Sequence, residues 1–363
     1  MIDPAAYREL VSGQKRGVRA ALLRLALRVA ETPYAWAVAV RNRRYDAGRA
    51  AVHQADAPVV SIGNLTVGGT GKTPLVEWAA RRFAARGVRV AIVSRGYGAK
   101  PGVANDEAQE LALALPDVPH VQDRDRVAAA RQAVERFDSQ LLLLDDGFQH
   151  RRLDRNFDIV LIDATAPFGY EHLLPRGLLR ESLRGLCRAD AVVLTRSDLV
   201  DDAERRAIER RVRRLAPRAV WCETRTCATH LLHSDGRREE LIEATGRRAA
   251  AFCGIGNPLA FQATLRSLGV NVVAWRAFAD HYAFQPGDLE SLTAEAARNG
   301  AEIVLCTRKD LVKLQVENVA NLPLRAVAIG LEFLSGEAEL EAALAPVVRQ
   351  EAPPVGRLHH GNQ

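Results

Sequence analysis

The feature that most restricts the fold is a glycine-rich turn between a short strand and a predicted helix. Residues 59–62 are largely apolar, residues 66–73 read TVGGTGKT, and Pro74 follows, where proline is tolerated in the first turn of a helix. A strand that leads through such a turn into a helix is typical of a parallel sheet covered by helices. The sequence therefore predicts an α/β fold with this turn at one edge of the sheet.

Further apolar runs extend this prediction along the chain. They lie at residues 88–93, 141–144, 159–162 and 191–194, with helical stretches at about 106–115 and 126–137. Near-continuous apolar runs indicate parallel strands that are buried on both faces. A second strand–helix series begins at residue 249, and a chain of 363 residues is long enough for two domains.

These patterns give an expected domain organisation. The fold class is a P-loop NTPase-like parallel sheet core and a smaller α/β C-terminal half, joined by a two-stranded β linker. The expected segments are N-terminal helices (1–50), a core that contains the glycine-rich turn (51–218), a β-hairpin linker (219–240), a C-terminal α/β domain (241–350) and a tail expected to be disordered (351–363).

The turn differs from the common phosphate-binding pattern G-x-x-x-x-G-K-[ST] at its first position, where Thr66 replaces glycine. Its glycines allow backbone N–H groups to turn inward around phosphate oxygens. Lys72 can reach the β- and γ-phosphates, and the Thr73 hydroxyl can bind Mg²⁺. The residues predicted to bind the nucleotide here are Thr66, Val67, Gly68, Gly69, Thr70, Gly71, Lys72 and Thr73. The alternative is a glycine turn without a ligand.

An acidic pair ends the apolar run at 141–144. The sequence LLLLDDGFQH places Asp145 and Asp146 at the carboxyl end of a buried strand, where acidic side chains lie beside a phosphate-binding loop in parallel sheets. One carboxylate can hold the metal, and the other can orient Gln149 or His150. The alternative is that the aspartates cap the next turn. Capping would explain at most one of the two.

The first 45 residues combine leucines with many arginines. Val18, Leu22, Leu25 and Val29 form one stripe at helical spacing, and Pro33 is expected to break or restart the helix. Two interpretations are open: a helix that lies in a membrane interface, or a helix that packs on the main domain with a solvated basic face. The net charge of +6 suits anionic partners without choosing among them.

The chain shows few features of a secreted or membrane-spanning protein. Its five cysteines are odd in number and scattered, which argues against a disulfide framework. We identify neither a cleavable signal peptide nor an apolar run of 18 residues. The expected location is therefore the cytoplasm or the cytoplasmic side of a membrane.

Several segments together resemble the tetraacyldisaccharide 4′-kinase family of the lipid A pathway. Their order along the chain is also that of the family. The segments are SIGNLTVGGTGKTP (61–74), SRGYG (94–98), the acidic pair at 106–107, DDGFQH (145–150), LLPRGLLRES (173–182), FCGIGNPLAF (252–261) and FADHYAF (278–284).

The resemblance implies a reaction and its partners. ATP, with Mg²⁺, would phosphorylate the 4′-hydroxyl of a tetraacylated glucosamine disaccharide 1-phosphate, giving lipid IVA for lipopolysaccharide. The enzyme would be a peripheral protein on the cytoplasmic face of the bacterial inner membrane. Its partners would be this lipid and the membrane surface, with no nucleic acid and no obligate protein partner. The membrane interpretation of the N-terminal helix is then favoured.

The resemblance also implies roles for single residues. Asp106 matches the family's proposed base for the 4′-hydroxyl, and His281 matches the histidine that pairs with it. Lys72 and Thr73 match the phosphate and Mg²⁺ ligands. Positions matching the metal and nucleotide shell are Glu107, Asp145, Asp146 and Gln149, and further active-site positions are Arg126 (Arg124 being the alternative), His150, Arg180 and Glu181. The predicted metal ligands are Thr73, Glu107 and Asp145.

Some positions depart from the family pattern. Asn105 and Ala108 stand where the family usually has glycine and proline, so the geometry around the acidic pair is less well defined by the motif. Arg176 and Leu178 also replace the common small residue and proline in LLPRGLLRES. The segments at 195–198 and 307–310 resemble base-recognition loops, with a polar strand exit as the alternative for each.

Two other classes of protein compete with the kinase. The compact pattern GGTGKT is that of ParA/MinD-like switch ATPases, but Val67 stands where their signature lysine would be. Such a switch would also not need the Asp106 and His281 motifs. A nucleic-acid-binding protein is disfavoured because aromatic residues make up only 6% of the chain and no recognised module is present.

Overall fold

The structure is a computed structural model, and it describes residues 4–96, 106–279, 282–314, 316–319 and 321–349. Within these residues the α-helices are α1 (Pro4–Ser12), α2 (Val18–Asp46), α3 (Lys72–Ala84), α4 (Asp106–Ala114), α5 (Arg126–Phe137), α6 (Asp202–Leu215), α7 (Pro258–Ser267), α8 (Pro286–Arg298), α9 (Arg308–Leu314) and α10 (Glu337–Arg349). The strands are β1 (Val59–Asn64), β2 (Val90–Ser94), β3 (His120–Gln122), β4 (Leu141–Asp145), β5 (Phe157–Asp163), β6 (Ala191–Thr195), β7 (Val220–Leu232), β8 (Arg238–Glu239), β9 (Arg248–Cys253), β10 (Asn271–Ala277), β11 (Ile303–Thr307), β12 (Asn318–Val319) and β13 (Leu322–Ser335).

The described chain divides into two compact units. Unit 1 contains residues 4–95, 121–225 and 333–349, and unit 2 contains residues 106–120 and 226–332. Residues 333–349 thus group with unit 1, and residues 106–120 with unit 2, unlike in the segments expected from sequence. The reason for the first difference is that α10 packs on α3, where Trp78 donates to Glu337 over 3.1 Å and Arg82 pairs with Glu341.

The sheet of unit 1 is parallel, with β1 at its centre. β1 pairs with β4 on one side and β5 on the other, β2 continues beyond β4, and β6 continues beyond β5. Residues 220–223 of β7 pair in parallel with β6. The register aligns Ile62 with Asp145, so the turn after β1 and the acidic end of β4 lie at the same edge of the sheet.

Alternating strand residues build a core on each face of this sheet. Leu142 and Leu144 of β4 belong to a cluster with Ala129 and Ala133 of α5, and small alanines allow this helix to approach closely. A second cluster includes Phe148 with residues of β5, β6 and α6. Each fully buried leucine contributes roughly 2 kcal/mol relative to exposure. These two layers confirm the predicted parallel sheet with helices on both faces.

The strands of unit 2 pair in parallel, in the order β10-β9-β11-β13. Phe261 of α7 and Trp275 of β10 pack at 6.0 Å between ring centroids. Of the β-hairpin expected at 219–240, the antiparallel pairing lies at the end of β7, where Leu231 and Leu232 pair with β8. Strand periodicity identified β7 correctly but could not show that its first residues join the sheet of unit 1.

The N-terminal helical region is divided differently from the prediction. It breaks between α1 and α2, where Gly13 and Gly17 have φ values of 85° and 108°. The expected break at Pro33 is wrong, because α2 is continuous through it. Proline removes the hydrogen bond to the carbonyl of Val29, and both residues are exposed, so water can replace the missing donor. None of the described helices is long and apolar enough to span a membrane.

Candidate active site

The glycine turn between β1 and α3 has the geometry of a phosphate-binding loop. Gly68 has φ 109° and Gly71, the residue before α3, has φ 83°, values that side chains with a Cβ rarely adopt. Thr195 of β6 donates from Oγ1 to the Thr70 carbonyl over 2.9 Å. The Val67 N–H donates to the Leu178 carbonyl over 2.8 Å. The loop is therefore fixed from two sides at the N-terminus of a helix, where anions bind.

Lys72, the first residue of α3, lies between two polar groups of the strand ends. Its Nζ is 3.3 Å from Oδ1 of Asn64 and 3.6 Å from Oδ1 of Asp146. Asn64 also donates to the Thr66 carbonyl over 2.6 Å, which ties the end of β1 to the loop. Asn64 is not among the site residues predicted from sequence, where its only signal is a polar residue at the end of an apolar strand.

Asp146 is the best-supported carboxylate of the site. Its φ of 54° turns the chain sharply after β4, and Nη1 of Arg180 lies 2.9 Å from Oδ1 and 2.7 Å from Oδ2. Burial acts to raise the pKa of Asp146, but Lys72 and Arg180 outweigh it, so the pKa lies below its usual range. Asp146 is therefore an ionised acceptor between two cations at neutral pH.

A buried polar cluster supports Gln149 from behind. Glu181 is fully buried and accepts from Gln149 Nε2 over 3.1 Å, from Asn42 of α2 over 2.9 Å and from Arg188 over 3.0 Å. Gln149 also donates to the Asn64 carbonyl over 2.9 Å. Glu181 thus holds other side chains rather than facing a ligand. Asn42 and Arg188 are not among the residues predicted from sequence, because they lie outside the motif that contains Glu181.

Arg126 and His150 lie behind Asp145 and Asp146. Arg126 begins α5 and is only 7% exposed; burial and Arg95 lower the pKa of this guanidinium, against the opposing effect of Asp146. Burial, together with Arg126, lowers the pKa of His150 to about 4, so this imidazole is neutral at physiological pH. Arg124, the alternative to Arg126, has no resolved contact with the acidic pair.

The segment after β6 contacts the phosphate loop. Arg196 has φ 54°, pairs with Asp163 and donates from Nη2 to the Gly69 carbonyl over 2.9 Å. This segment therefore shapes the loop, and its contact with a base stays a prediction. In the segment at 307–310, the fully buried Asp310 accepts from the Gly254 N–H and from Thr307, which supports a structural role there.

Three predicted residues cannot be placed. Asp106 and Glu107 begin α4, but their side chains lie outside the described part of the structure, as does His281 as a whole. Their roles stay predictions.

The donor set at the loop fits Mg²⁺ with a phosphate ligand. Thr73 is half-buried in the first turn of α3, and Asp145 is half-buried at the end of the neighbouring β4. Among the described residues, no group of three or more His, Cys, Asp and Glu side chains is arranged to hold a metal alone. Mg²⁺ characteristically takes one or two protein oxygens together with phosphate oxygens and water, and Thr73 and Asp145 match this requirement.

Comparisons with known proteins agree on one family. A family model described as tetraacyldisaccharide-1-P 4′-kinase matches residues 23–349. Tetraacyldisaccharide 4′-kinase from Anaeromyxobacter dehalogenans (strain 2CP-C) is 42% identical, covering 92% of this chain and 93% of the relative. The Geobacter sulfurreducens protein of that name is 38% identical over 94% and 98%.

A solved structure supports the same relation. The crystal structure of LpxK from Aquifex aeolicus in complex with ATP matches with a TM-score of 0.74 and 30% identity, covering 90% of this chain and 99% of that one. The similarity therefore extends over both units and their connections in sequence, beyond the phosphate-loop motif.

Proposed function

This chain belongs to the tetraacyldisaccharide-1-P 4′-kinase family, and from that membership we propose how its residues perform the family's reaction. The chain is an ATP-dependent kinase, with Mg²⁺, that phosphorylates the 4′-hydroxyl of tetraacyldisaccharide 1-phosphate to form lipid IVA in lipid A biosynthesis. The match of the family model over residues 23–349 carries this conclusion. A ParA/MinD-like switch ATPase is not favoured.

The phosphate loop binds and orients the triphosphate in this proposal. Backbone N–H groups of residues 68–71 and the N-terminus of α3 surround the phosphates, and Lys72 reaches the β- and γ-phosphates. The Nζ atom of Lys72 is held at this edge of the sheet by its contacts with Asn64 and Asp146. Thr73 and Asp145 would hold Mg²⁺, which would neutralise phosphate charge, and Glu107 is a further proposed ligand.

The carboxylates of Asp106 and Asp146 have different proposed roles. Asp106 accepts the proton of the 4′-hydroxyl as that oxygen attacks phosphorus, and His281 orients Asp106; both assignments rest on the sequence motifs. Asp146, ionised between Lys72 and Arg180, keeps these two cations in position. Arg126, His150 and Glu181 form the supporting shell, as their burial and contacts suggest.

The N-terminal helix is the proposed membrane contact. Along one face of α2, the side chains of Val18, Leu22, Leu25, Val29 and Trp36 are 77%, 60%, 61%, 68% and 70% exposed. An apolar stripe with flanking arginines suits the interface of an anionic leaflet. We accordingly infer peripheral attachment to the cytoplasmic face of the inner membrane, without an obligate protein partner.

The other side of α2 packs against the rest of unit 1. Glu31 accepts from the Leu173 N–H over 2.8 Å, and Tyr34 donates to the Arg180 carbonyl over 2.9 Å. Asn42 reaches Glu181. The polar side of the helix is thus used for packing, which leaves the apolar side available to lipid.

Phosphate transfer from γ-labelled ATP tests the function directly. The full chain is incubated with Mg²⁺, with and without tetraacyldisaccharide 1-phosphate in detergent micelles, beside Lys72→Ala. We expect label on the lipid only when the acceptor is present, and at least 1,000-fold less with Lys72→Ala. Free phosphate released equally fast without acceptor would indicate a switch ATPase and remove the kinase assignment.

A further inference from the structure

Helix α1 carries an arginine to the phosphate loop. A Cβ built on Gly68 would lie 2.9 Å from Nη2 of Arg8, so the guanidinium lies directly against the loop backbone. Gly68 is favoured here by its φ of 109°, which residues with a side chain rarely adopt. We propose that Arg8 is an arginine finger supplied by the chain itself, which contacts the γ-phosphate of ATP during its transfer.

Helix α1 is anchored well enough to position this side chain. Leu10 and Val11 are 7% and 2% exposed, and Arg176 donates to the Val11 carbonyl over 2.9 Å. The Tyr7 hydroxyl lies 2.8 Å from the carbonyl oxygen of Pro175 and 3.0 Å from that of Gly177, so it can donate to either. Arg8 therefore follows directly after an anchored residue.

The same segment supports the loop that Arg8 touches. Val67 donates to the Leu178 carbonyl, and Thr66 forms a bridge with Leu179. Tyr7 binds this segment one residue before Leu178, at Gly177. Helix α1 and the phosphate loop are consequently held by one short stretch of chain, which keeps the backbone at Arg8 close to the loop.

Arg8 has the charge that the loop motif lacks. Val67 occupies the position of the lysine that ParA/MinD-like proteins direct at the nucleotide, and Arg8 lies beside the next residue. Lys72 and Arg180 are both engaged with Asp146. Arg8, in contrast, is exposed and has no carboxylate within ion-pair distance among the described residues. A planar guanidinium donates two parallel hydrogen bonds to a phosphoryl group.

An arginine in this place acts on the transition state. Charge develops on the oxygens of the transferring phosphoryl group, and a finger that stabilises it accelerates phosphoryl transfer by about 10³–10⁵-fold. The family model matches only from residue 23 onwards, so α1 and Arg8 precede the part of the chain that defines the family. This assignment rests on the proposed kinase function and adds one group to it.

The test compares three full-length variants in the labelled-ATP assay with lipid acceptor in micelles. The variants are Arg8→Ala, Arg8→Lys and, as the matched control, Arg16→Ala, which removes an exposed arginine from the same N-terminal region. We expect Arg8→Ala to lower kcat at least 100-fold, with KM for the lipid changed less than threefold. Arg8→Lys should retain intermediate activity, Arg16→Ala should be normal, and guanidinium ion at tens of millimolar should restore part of the activity of Arg8→Ala but not of Lys72→Ala.

Three results would contradict the proposal that Arg8 is an arginine finger. Activity of Arg8→Ala within threefold of wild type, while Lys72→Ala is inactive, would leave the kinase intact and remove Arg8 from it. A raised KM for the lipid at unchanged kcat would make Arg8 a lipid contact. Loss of activity that added guanidinium does not restore, in a protein with an unchanged thermal midpoint, would also contradict a phosphate contact. Failure of the wild-type protein to label the lipid would instead reject the kinase itself.

Discussion

The Arg180 guanidinium and the Asp146 carboxylate form a two-point contact, with Nη1 at 2.9 and 2.7 Å from the two carboxylate oxygens. Lys72 approaches the same carboxylate at 3.6 Å. A single acidic group thus sets the position of two cations, one in the phosphate loop and one in the segment next to α2. The cations in turn keep the Asp146 carboxyl ionised, with its pKa below the usual range.

Removing Arg180 should therefore change both rate and pH dependence. With Arg180→Ala, we expect kcat to fall about 100-fold, because Asp146 loses the guanidinium that also donates to Gln149 Oε1 over 3.4 Å. The pKa of Asp146 should rise, so the acidic limb of the kcat profile should move to higher pH. Arg184→Ala is the control, because it removes an exposed arginine four residues away. An unshifted acidic limb would exclude Asp146 as the group that titrates.

Glu181 is expected to matter for stability before chemistry. Glu181→Gln removes the charge that balances Arg188, whose side chain is only 17% exposed, and breaking a buried ion pair costs about 3–5 kcal/mol. Urea unfolding should show this loss. Glu171→Gln, in which the exposed partner of Arg211 changes, should cost less than about 1 kcal/mol. Equal midpoints for the two variants would refute a structural role for Glu181.

Asp106 is expected to act in the chemical step. Asp106→Ala should lower kcat at least 100-fold, while the ATP dissociation constant, measured by equilibrium binding, changes less than threefold. Asp117→Ala provides an exposed acidic control from the same region. A collapse of ATP affinity with kcat retained at saturation would make Asp106 a binding residue and leave the base to be found elsewhere.

Substitutions in the apolar stripe of α2 should weaken vesicle binding without lowering the stability of the protein. Leu22→Ser with Leu25→Ser removes two exposed side chains, worth roughly 2–4 kcal/mol if both are buried in lipid. We expect at least 10-fold weaker sedimentation with vesicles containing anionic phospholipid, at an unchanged thermal midpoint. Leu259→Ser, in an exposed position of α7, is the control. Full sedimentation of the double variant would contradict the membrane face.

His150 predicts how stability depends on pH. Burial, together with Arg126 and Arg155, holds its pKa at about 4, against 6.5 for a free imidazole. Between pH 6.5 and about 4, His150 is therefore protonated in the unfolded chain but neutral in the folded chain. The free energy of unfolding falls as the pH drops through this range. His150→Gln should remove on the order of 1–2 kcal/mol of this loss, after allowance for screening of a partly exposed ring.

The control for this measurement is His53→Gln, in which an exposed histidine is changed. Part of the slope should remain in His150→Gln, because burial also lowers the pKa of His120 to about 4. Urea midpoints at pH 4.5, 5.5 and 7 measure the difference. An unchanged slope between pH 6.5 and 4 would mean that His150 titrates as it does in water.

Local pattern predicted the sheet of unit 1 well. Apolar runs at 141–144 and 191–194 became β4 and β6, and the helix expected at 126–137 became α5. These elements are recognisable because burial on both sides of a parallel strand leaves a continuous apolar signal. Pro33 was misjudged for the opposite reason: a local breaking signal is overridden when the rest of the helix packs on a partner.

The candidate site was predictable where a motif concentrates its residues. Lys72 and Asp146 lie in such motifs, and the structure brings them within 3.6 Å. Asn42, Arg188 and Arg8 were not predictable, because each reaches the site from another segment and carries no local mark of its partner. Long-range contacts of single polar side chains depend on the packing of whole elements, which pattern alone does not give.

The division of unit 1 into three stretches of chain has a consequence for synthesis on the ribosome. Residues 4–95 and 121–225 emerge first, but α10, which packs on α3, is translated only after residue 332. At roughly 5–20 residues per second, translation of residues 226–332 takes on the order of ten seconds. During that interval α3 lacks its contact with α10, so the nucleotide-binding unit gains the Trp78–Glu337 hydrogen bond only at a late stage of synthesis.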